Sequence, residues 1–373
     1  MSTRSYLDHN ATSPLRPEAS AAMAAALDCI GNPSSIHAEG RAARTIIETA
    51  RETVARIFEV RPQAVTFTSG GTEAANWLLQ CREGYKLVFS ATEHPCVLKG
   101  HRFADQNVHT VRVSPKGTVE LAALEQALAA PAMVAIQAAN NETGVIQPIA
   151  EVAALTKAKG GILVCDAVQA VGRLPLSDIE AADALFFSAH KFGGPKGVGA
   201  AIWRSAAPAP EALIRGGGQE RRQRSGTENI TGIAGLAAAL EAASQEQVIW
   251  KARAQALQSK LEQGLRAIAP DSVIFGEGAN RLPNTSFFAV PGKRADMLLI
   301  ALDLEGVAVS SGSACSSGKV ERSHVLAATG AAPALADCAI RVSTGWNSKE
   351  EDIERFLTAL RKIIGGGRER RAA

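Results

Sequence analysis

The chemistry of this chain gathers around Lys191. It stands in Ser188-Ala189-His190-Lys191-Phe192-Gly193-Gly194-Pro195-Lys196-Gly197, just after an apolar run, Ala184 to Phe187, that predicts a buried strand. An amine at a strand end can meet a ligand at the sheet's edge, and the glycines let the backbone turn sharply and lie close to it. A P-loop fits less well, because Lys196 is followed by Gly197 and not by Ser or Thr. Other strand ends carry matching groups. Ser69-Gly70-Gly71-Thr72-Glu73 opens a helix whose free amides suit a phosphate. Glu93-His94-Pro95 offers a ring that can stack on a planar cofactor, and Asn140-Asn141-Glu142-Thr143-Gly144 follows a third strand. Asp166-Ala167-Val168-Gln169 follows a fourth, and an Asp there can keep a pyridine nitrogen protonated. Singly these are helix caps, turn residues and satisfied polar groups. Together they supply an amine for a Schiff base, phosphate donors, a stacking ring and an acid, which is what pyridoxal phosphate requires.

The elements that must position them alternate. Strands are predicted at Ala64–Thr68, Lys86–Ser90, Val108–Val113, Met133–Gln137, Ile162–Cys165, Ala184–Phe187 and Val198–Trp203. Helices are predicted between them at Gly71–Cys81, Pro95–Asp105, Val119–Ala130 and Ile149–Lys159. This rhythm predicts an α/β fold, a mostly parallel seven-stranded sheet with helices on both faces, whose ligands sit beyond the strand carboxyl ends. Before it, an extended segment Tyr6–Thr12 leads to helices at 18–28 and over Ala43 to Phe58, the second with Ala43, Ile46, Ile47, Ala50, Val54, Ile57 and Phe58 on one face. After it, helices near 229–243 and 245–268 lead into a smaller α+β region. There strands are expected at 273–276, 284–290, 307–310 and 339–343, with a helix at 295–305. A terminal helix follows, capped by Ser348 with Glu351. The domains expected are 13–250 for the large, cofactor-binding part, and 1–12 with 251–373 for the small one.

Composition excludes several classes. A net charge of +3 over 373 residues gives no electrostatic case for nucleic acid, and no apolar run is long enough to span a bilayer. The cluster Arg221, Arg222, Arg224 is short, and suits a solvated loop or a small anion. The first residues lack the apolar core of a signal peptide. Six cysteines without a Cys-x-x-Cys pair read as reduced thiols of a cytoplasmic protein, and the seven histidines show no zinc-ligand spacing with them. Cys29, Cys81 and Cys165 are expected to pack; Cys96 lies close to His94 and is ambiguous.

Two residues of the smaller region stand out. Cys315 lies in Ser310-Ser311-Gly312-Ser313-Ala314-Cys315-Ser316-Ser317-Gly318-Lys319, where serine and glycine predict an exposed, reactive thiol on a mobile loop. Arg341 is a cation inside an apolar strand and needs an anionic partner, for which a substrate carboxylate is one candidate.

These segments, with Gly31-Asn32-Pro33-Ser34-Ser35-Ile36-His37 and Arg224-Ser225-Gly226-Thr227, resemble the cysteine desulfurases of the NifS/IscS type from about Tyr6 to Glu351. The resemblance implies the pyridoxal phosphate–dependent aspartate-aminotransferase fold and conversion of L-cysteine to L-alanine. The sulfur would be kept as a persulfide on Cys315 and delivered to an acceptor such as an iron–sulfur scaffold. It implies that Lys191 binds the cofactor and later moves protons at the substrate Cα, and that His94 stacks on its ring. Asp166 would pair with the pyridine nitrogen, and Gln169 and Asn141 would face the ring oxygen. Gly71, Thr72, Ser188 and His190 would hold the phosphate, with Thr227 arriving from the second subunit of a homodimer. Arg341, with Asn10, would take the substrate carboxylate. No resident metal is implied, although Cys315 could serve as a transient iron–sulfur ligand beside a scaffold partner. His9, Cys96 and the Glu321-Arg322-Ser323-His324 flank depart from the family's usual residues without removing a catalytic group. An aminotransferase or a selenocysteine lyase of the same fold is the alternative, and neither requires the serine-rich cysteine loop.

Overall fold

The computed structural model describes residues 4–129, 131–312 and 322–369. Strand β1 (Ser5–Tyr6) leads to α1 (Pro17–Leu27), which has proline in its first turn, where no amide is needed. In α2 (Ala38–Ile57), Ala43, Ile47, Ala50 and Val54 are buried at spacings of three and four. The alternation then follows: β2 (Val65–Thr68), α3 (Gly71–Leu78), β3 (Lys86–Ser90), α4 (Pro95–Leu98) and β4 (Val108–Val111). It continues through α5 (Leu121–Ala127), β5 (Ala132–Gln137), α6 (Ile149–Ala158), β6 (Ile162–Asp166), β7 (Ala184–Ser188) and β8 (Gly199–Trp203). These seven strands form one sheet in the order β2-β8-β7-β6-β5-β3-β4, parallel except for β8, which runs antiparallel to both neighbours. Every residue of β5, β6 and β7 is buried, as expected for strands covered on both faces. Register sets Asp166 between Gln137 and Phe186.

The chain goes on through α7 (Ile230–Ile268), β9 (Val273–Ile274), β10 (Thr285–Ala289), α8 (Ala295–Leu304), β11 (Val307–Ala308) and β12 (Ser310–Ser311). It finishes with α9 (His324–Ala328), α10 (Pro333–Ala336), β13 (Ala339–Ser343) and α11 (Glu350–Glu369). An antiparallel sheet of order β12-β13-β10-β9 and a parallel β1–β11 pair form the α+β part. Its core gathers Leu257, Leu261, Leu265, Phe288, Leu302, Ile340 and Phe356, and Leu7 from the N-terminal segment joins them. Among the described residues no helix is long and apolar enough to cross a membrane.

Four expectations need correction. The helices expected at 229–243 and 245–268 are one helix of 39 residues, α7. No Gly or Pro stands between Gly235 and Gly264, and Ser244 alone does not stop a helix. The helix expected over Pro95–Asp105 ends at Leu98, because the chain turns tightly at Gly100 and Arg102 N–H then bonds to Leu79 O. Ser348 does not cap α11: its hydroxyl accepts from Gly345 N–H and meets His9 Nε2, while Asp352 accepts from Lys349 N–H. Cys81 is exposed and Cys29 half-buried, so of the three cysteines expected to pack only Cys165 is core.

One loop is anchored unusually. Glu220, Arg221 and Arg222 have φ of 44, 54 and 66°, left-handed values that cost roughly 1–2 kcal/mol per residue. Glu220 holds them in place. Its buried carboxylate accepts from both terminal nitrogens of Arg51 at 2.8 Å and from Phe67 N–H at 2.9 Å. Glu220→Ala strands Arg51 in the core and releases the loop, and is expected to cost about 3–5 kcal/mol of stability. Urea unfolding of the variant checks this, and a loss below about 1 kcal/mol would show that the pair does not anchor the loop.

Candidate active site

Beyond the carboxyl ends of β3, β5, β6 and β7 lies a cavity of about 350 Å³. Asn10, Gly71, Thr72, His94, Asn141, Asp166, Gln169, Ser188, His190, Lys191 and Arg341 all line it, so the structure brings these predicted residues together. Two others are placed differently. Thr227 is exposed and lines a separate cavity of about 110 Å³ with Ser69, Glu220 and Arg224. Cys315 lies outside the described residues. The loop that carries Thr227 is tied to the start of α3 by Arg224, which pairs with Glu73 at 2.9 Å.

Lys191 ends a single helical turn after β7. The turn requires glycine at 193, where φ is +95° and a Cβ would stand 2.6 Å from Arg16 Cγ. Lys191 Nζ donates to the carbonyls of Asn10 at 2.7 Å and Ala11 at 2.9 Å. Burial, with Arg341 and Arg173 nearby, brings its pKa down to about 8. About a tenth of the amine is therefore neutral at pH 7, far more than an ordinary lysine offers, and the neutral form is the nucleophile.

His94 caps α4, and its Nδ1 accepts from Cys96 N–H at 3.1 Å. That bond puts the ring proton on Nε2 in the neutral imidazole. Burial first, then Lys191 and His324, lower its pKa to about 4, so the ring is uncharged. His190 meets Thr12 Oγ1 at 3.1 Å and is also lowered to about 4, chiefly by burial. Asp166 accepts from Val168 N–H at 2.9 Å, and burial raises it to about 6. It is mostly ionised at pH 7 and above. Cys96 lines the cavity, but burial and the carboxyls of Asp166 and Glu93 push its thiol well above the usual range, which makes it a poor nucleophile.

Arg341 has the anionic partner its strand position demanded, and that partner is internal. Nη2 donates to Asp8 Oδ1 at 2.8 Å and Nη1 to Asn141 O at 2.9 Å, while the buried Nε has no partner among the described residues. Asn10 is likewise committed. Its amide donates to Asn141 O and Thr285 Oγ1 and its Oδ1 accepts from Asn284 and Arg173, so it braces the wall of the cavity. Sequence reasoning missed Asp8, Arg173 and Glu142. The carboxyl of Glu142 takes a hydrogen bond from Ser323 and lies where a Cβ on Gly312 would collide with it. It thus touches residues on both flanks of 313–321. Its place next to Asn141 was the only sequence signal.

Glu93 was also passed over in favour of the adjoining His94. It is fully buried; one carboxyl oxygen accepts from Gln137 N–H at 3.1 Å and the other has no partner among the described residues. Burial, with Asp166 adding to it, raises its pKa well above the ordinary value near 4.5. Glu93 therefore keeps its proton to higher pH in the fold than in the unfolded chain, where it ionises once pH passes about 4.5. A raised carboxyl pKa means that stability falls as pH rises through that window. Glu93→Gln is expected to remove this loss, so its advantage in thermal midpoint over the parent protein should grow from pH 4 to pH 8. A difference that does not change with pH would show that the fold does not raise this carboxyl.

The donor set fits pyridoxal phosphate. Backbone amides at the start of α3 with Ser188 and His190 suit its phosphate, an ionised Asp166 its pyridine nitrogen, a neutral His94 its ring and a partly neutral Lys191 its aldehyde. A family profile described as aminotransferase class-V matches residues 5–356. A cysteine desulfurase of Sinorhizobium fredii is 40% identical over 380 residues, covering 98% of this chain and 98% of that protein. The X-ray structure of a NifS-like protein from Rickettsia africae superposes with a TM-score of 0.89 at 34% identity, covering 97% of this chain and 99% of that one. SspA, solved in complex with cysteine, gives a TM-score of 0.77 at 27% identity, covering 91% and 98%. The chain belongs to the aminotransferase class-V family, as a cysteine desulfurase that depends on pyridoxal phosphate.

Proposed function

We propose that the chain converts L-cysteine to L-alanine with Cys315 as the sulfur-accepting residue, and passes the sulfur to a protein acceptor such as an iron–sulfur scaffold. What carries this reading is the convergence of Lys191, Asp166, His94 and Arg341 on one cavity. Pyridoxal phosphate supplies an electron sink at the substrate's Cα, which weakens the bond from Cβ to sulfur. Gly71, Thr72, Ser188 and His190 hold its phosphate; Gln169 and Asn141 hold its ring oxygen. Lys191 is its covalent anchor, and the free amine then takes the proton from the substrate Cα. Arg341 receives the substrate carboxylate, which must share or displace the Asp8 contact. The Cys315 thiolate attacks the substrate sulfur: an S–S bond forms, the Cβ–S bond breaks, and the electron pair stays with the alanine carbon, which is then protonated. The persulfide leaves by exchange with an acceptor thiol.

The same reading makes the protein a cytoplasmic homodimer with domains 13–250 and 1–12 plus 251–373. Thr227 of each chain would complete the partner's phosphate site; its exposure and its absence from the lining of its own chain's cavity support that assignment.

Lys191→Ala is expected to lose the visible band that borohydride bleaches in the parent protein; an unchanged band would remove Lys191 from its role. Cys315→Ser should keep cofactor and cysteine binding yet lose sulfur transfer by several powers of ten, because a serine hydroxyl does not accept sulfur. Assays of alanine and protein-bound persulfide in one tube decide it, and transfer at the parent rate would assign the nucleophile elsewhere. Arg341→Ala is expected to raise KM for cysteine roughly 10- to 150-fold, the loss of a charge-assisted pair worth about 1.5–3 kcal/mol.

A further inference from the structure

Arg173 is 5% exposed, and among the described residues it has no carboxylate partner. The left-handed Gly172 before it (φ +75°) has no room for a side chain, since a Cβ would lie 2.9 Å from Ala243 on α7. The guanidinium is held by neutral oxygens alone. Nη1 donates to Asn10 Oδ1 at 3.0 Å and to Gln169 Oε1, and Nη2 donates to Lys191 O at 3.0 Å and to His9 O at 3.4 Å. A cation buried without a counter-ion is costly, and other buried cations here, Arg51 and Arg341, have a carboxylate. Arg173 thus spends its donors on three residues that line the cavity, Asn10, Gln169 and Lys191.

We propose that Arg173 is a positioning residue for the cofactor-linking lysine, fixing the Lys191 main chain and the Asn10–Gln169 wall while leaving its own charge uncompensated beside them. Its bond to Gln169 Oε1 sets which way that amide faces, so Nε2 donates to Asn10 O, the carbonyl that also receives Lys191 Nζ. The charge acts on the Lys191 amine directly. Arg341 and Arg173 disfavour a proton there, Asp8 and Asp166 favour one, and the neutral His94 and His190 and the Cys96 thiol also lie within reach of its charge. Arg173 itself, lowered to about 9 by burial and by Arg341, remains a cation at neutral pH.

This inference rests on the reading of Lys191 as the covalent anchor. The test uses full-length, cofactor-free protein. Pyridoxal 5'-phosphate is added at a series of pH values, the adduct is fixed with borohydride, and the labelled Lys191 peptide is quantified by mass spectrometry. The parent protein should show a midpoint near 8. Arg173→Gln should move the midpoint up by about one unit, so that labelling at pH 7 is about tenfold slower. Arg173→Lys keeps the charge and loses the fork, so its midpoint should stay and its labelling should slow by the same factor at every pH. A midpoint in Arg173→Gln equal to the parent's overturns the inference. Should that variant not fold, Arg173→Lys decides alone: a shifted midpoint, or a profile identical to the parent's in rate and midpoint, overturns it. Label absent from Lys191 in the parent protein overturns the assignment of Lys191 and this inference with it, whereas label with an unmoved midpoint overturns only the role of Arg173.

Discussion

The site depends on how residues 8–12 are gripped between the seven-stranded sheet and the smaller antiparallel one. Asn10 is the centre of that grip. Its carbonyl receives Lys191 Nζ and Gln169 Nε2, its amide reaches Asn141 and Thr285, and its own N–H is bound by Ser343 Oγ. Asp8, two residues earlier, neutralises Arg341 on β13. One short strip of chain therefore touches the Lys191 amine, Gln169 and Asn141 in the cavity wall, and the Arg341 guanidinium. Buried polar groups of this kind are costly unless all are paired, which ties the two halves of the site into a single arrangement.

Charge is distributed to match. Two carboxyls are buried near one another; burial raises both, and the charge of Asp166, mostly ionised at pH 7, raises Glu93 further. Both histidines lining the cavity are held neutral, and two guanidinia face the lysine. The result is a pocket in which an amine is readily deprotonated while an anion finds cations and oriented N–H groups. Such preorganisation is set by burial and main-chain geometry before any ligand arrives.

Much of this was legible in the sequence. The strand–helix alternation placed Ser69, His94, Asn141, Asp166 and Lys191 at strand ends, and a parallel sheet presents its strand ends on one edge. Hence eleven of the seventeen described residues lining the cavity were named as site residues, while Ala11, Gln137, Ala139 and Gly312 were not. What could not be read were the pairings across distant chain segments. Nothing near Asp8 hints that it neutralises Arg341 from 333 positions away, and Arg173 in a Gly-Arg-Leu-Pro turn looks like an ordinary surface residue. Helix limits failed where tertiary contacts overruled local pattern, as at Gly100 and Ser348. The continuity of α7 was missed because its first part packs on one core and its later turns on another, so no single stripe runs its length.

That helix has a consequence of its own. With 39 residues it is about 58 Å long at 1.5 Å per residue. Ile233, Leu236 and Leu240 belong to the core under the large sheet, and Leu257, Leu261 and Leu265 to the other. A loop between the two cores would let either melt while the other held. An unbroken helix instead makes each core the scaffold for half of its neighbour's packing surface. Loss of order in one shortens the support of the other, so the two are thermodynamically coupled through a shared beam, and a protease finds no slack tether along it at which to part them.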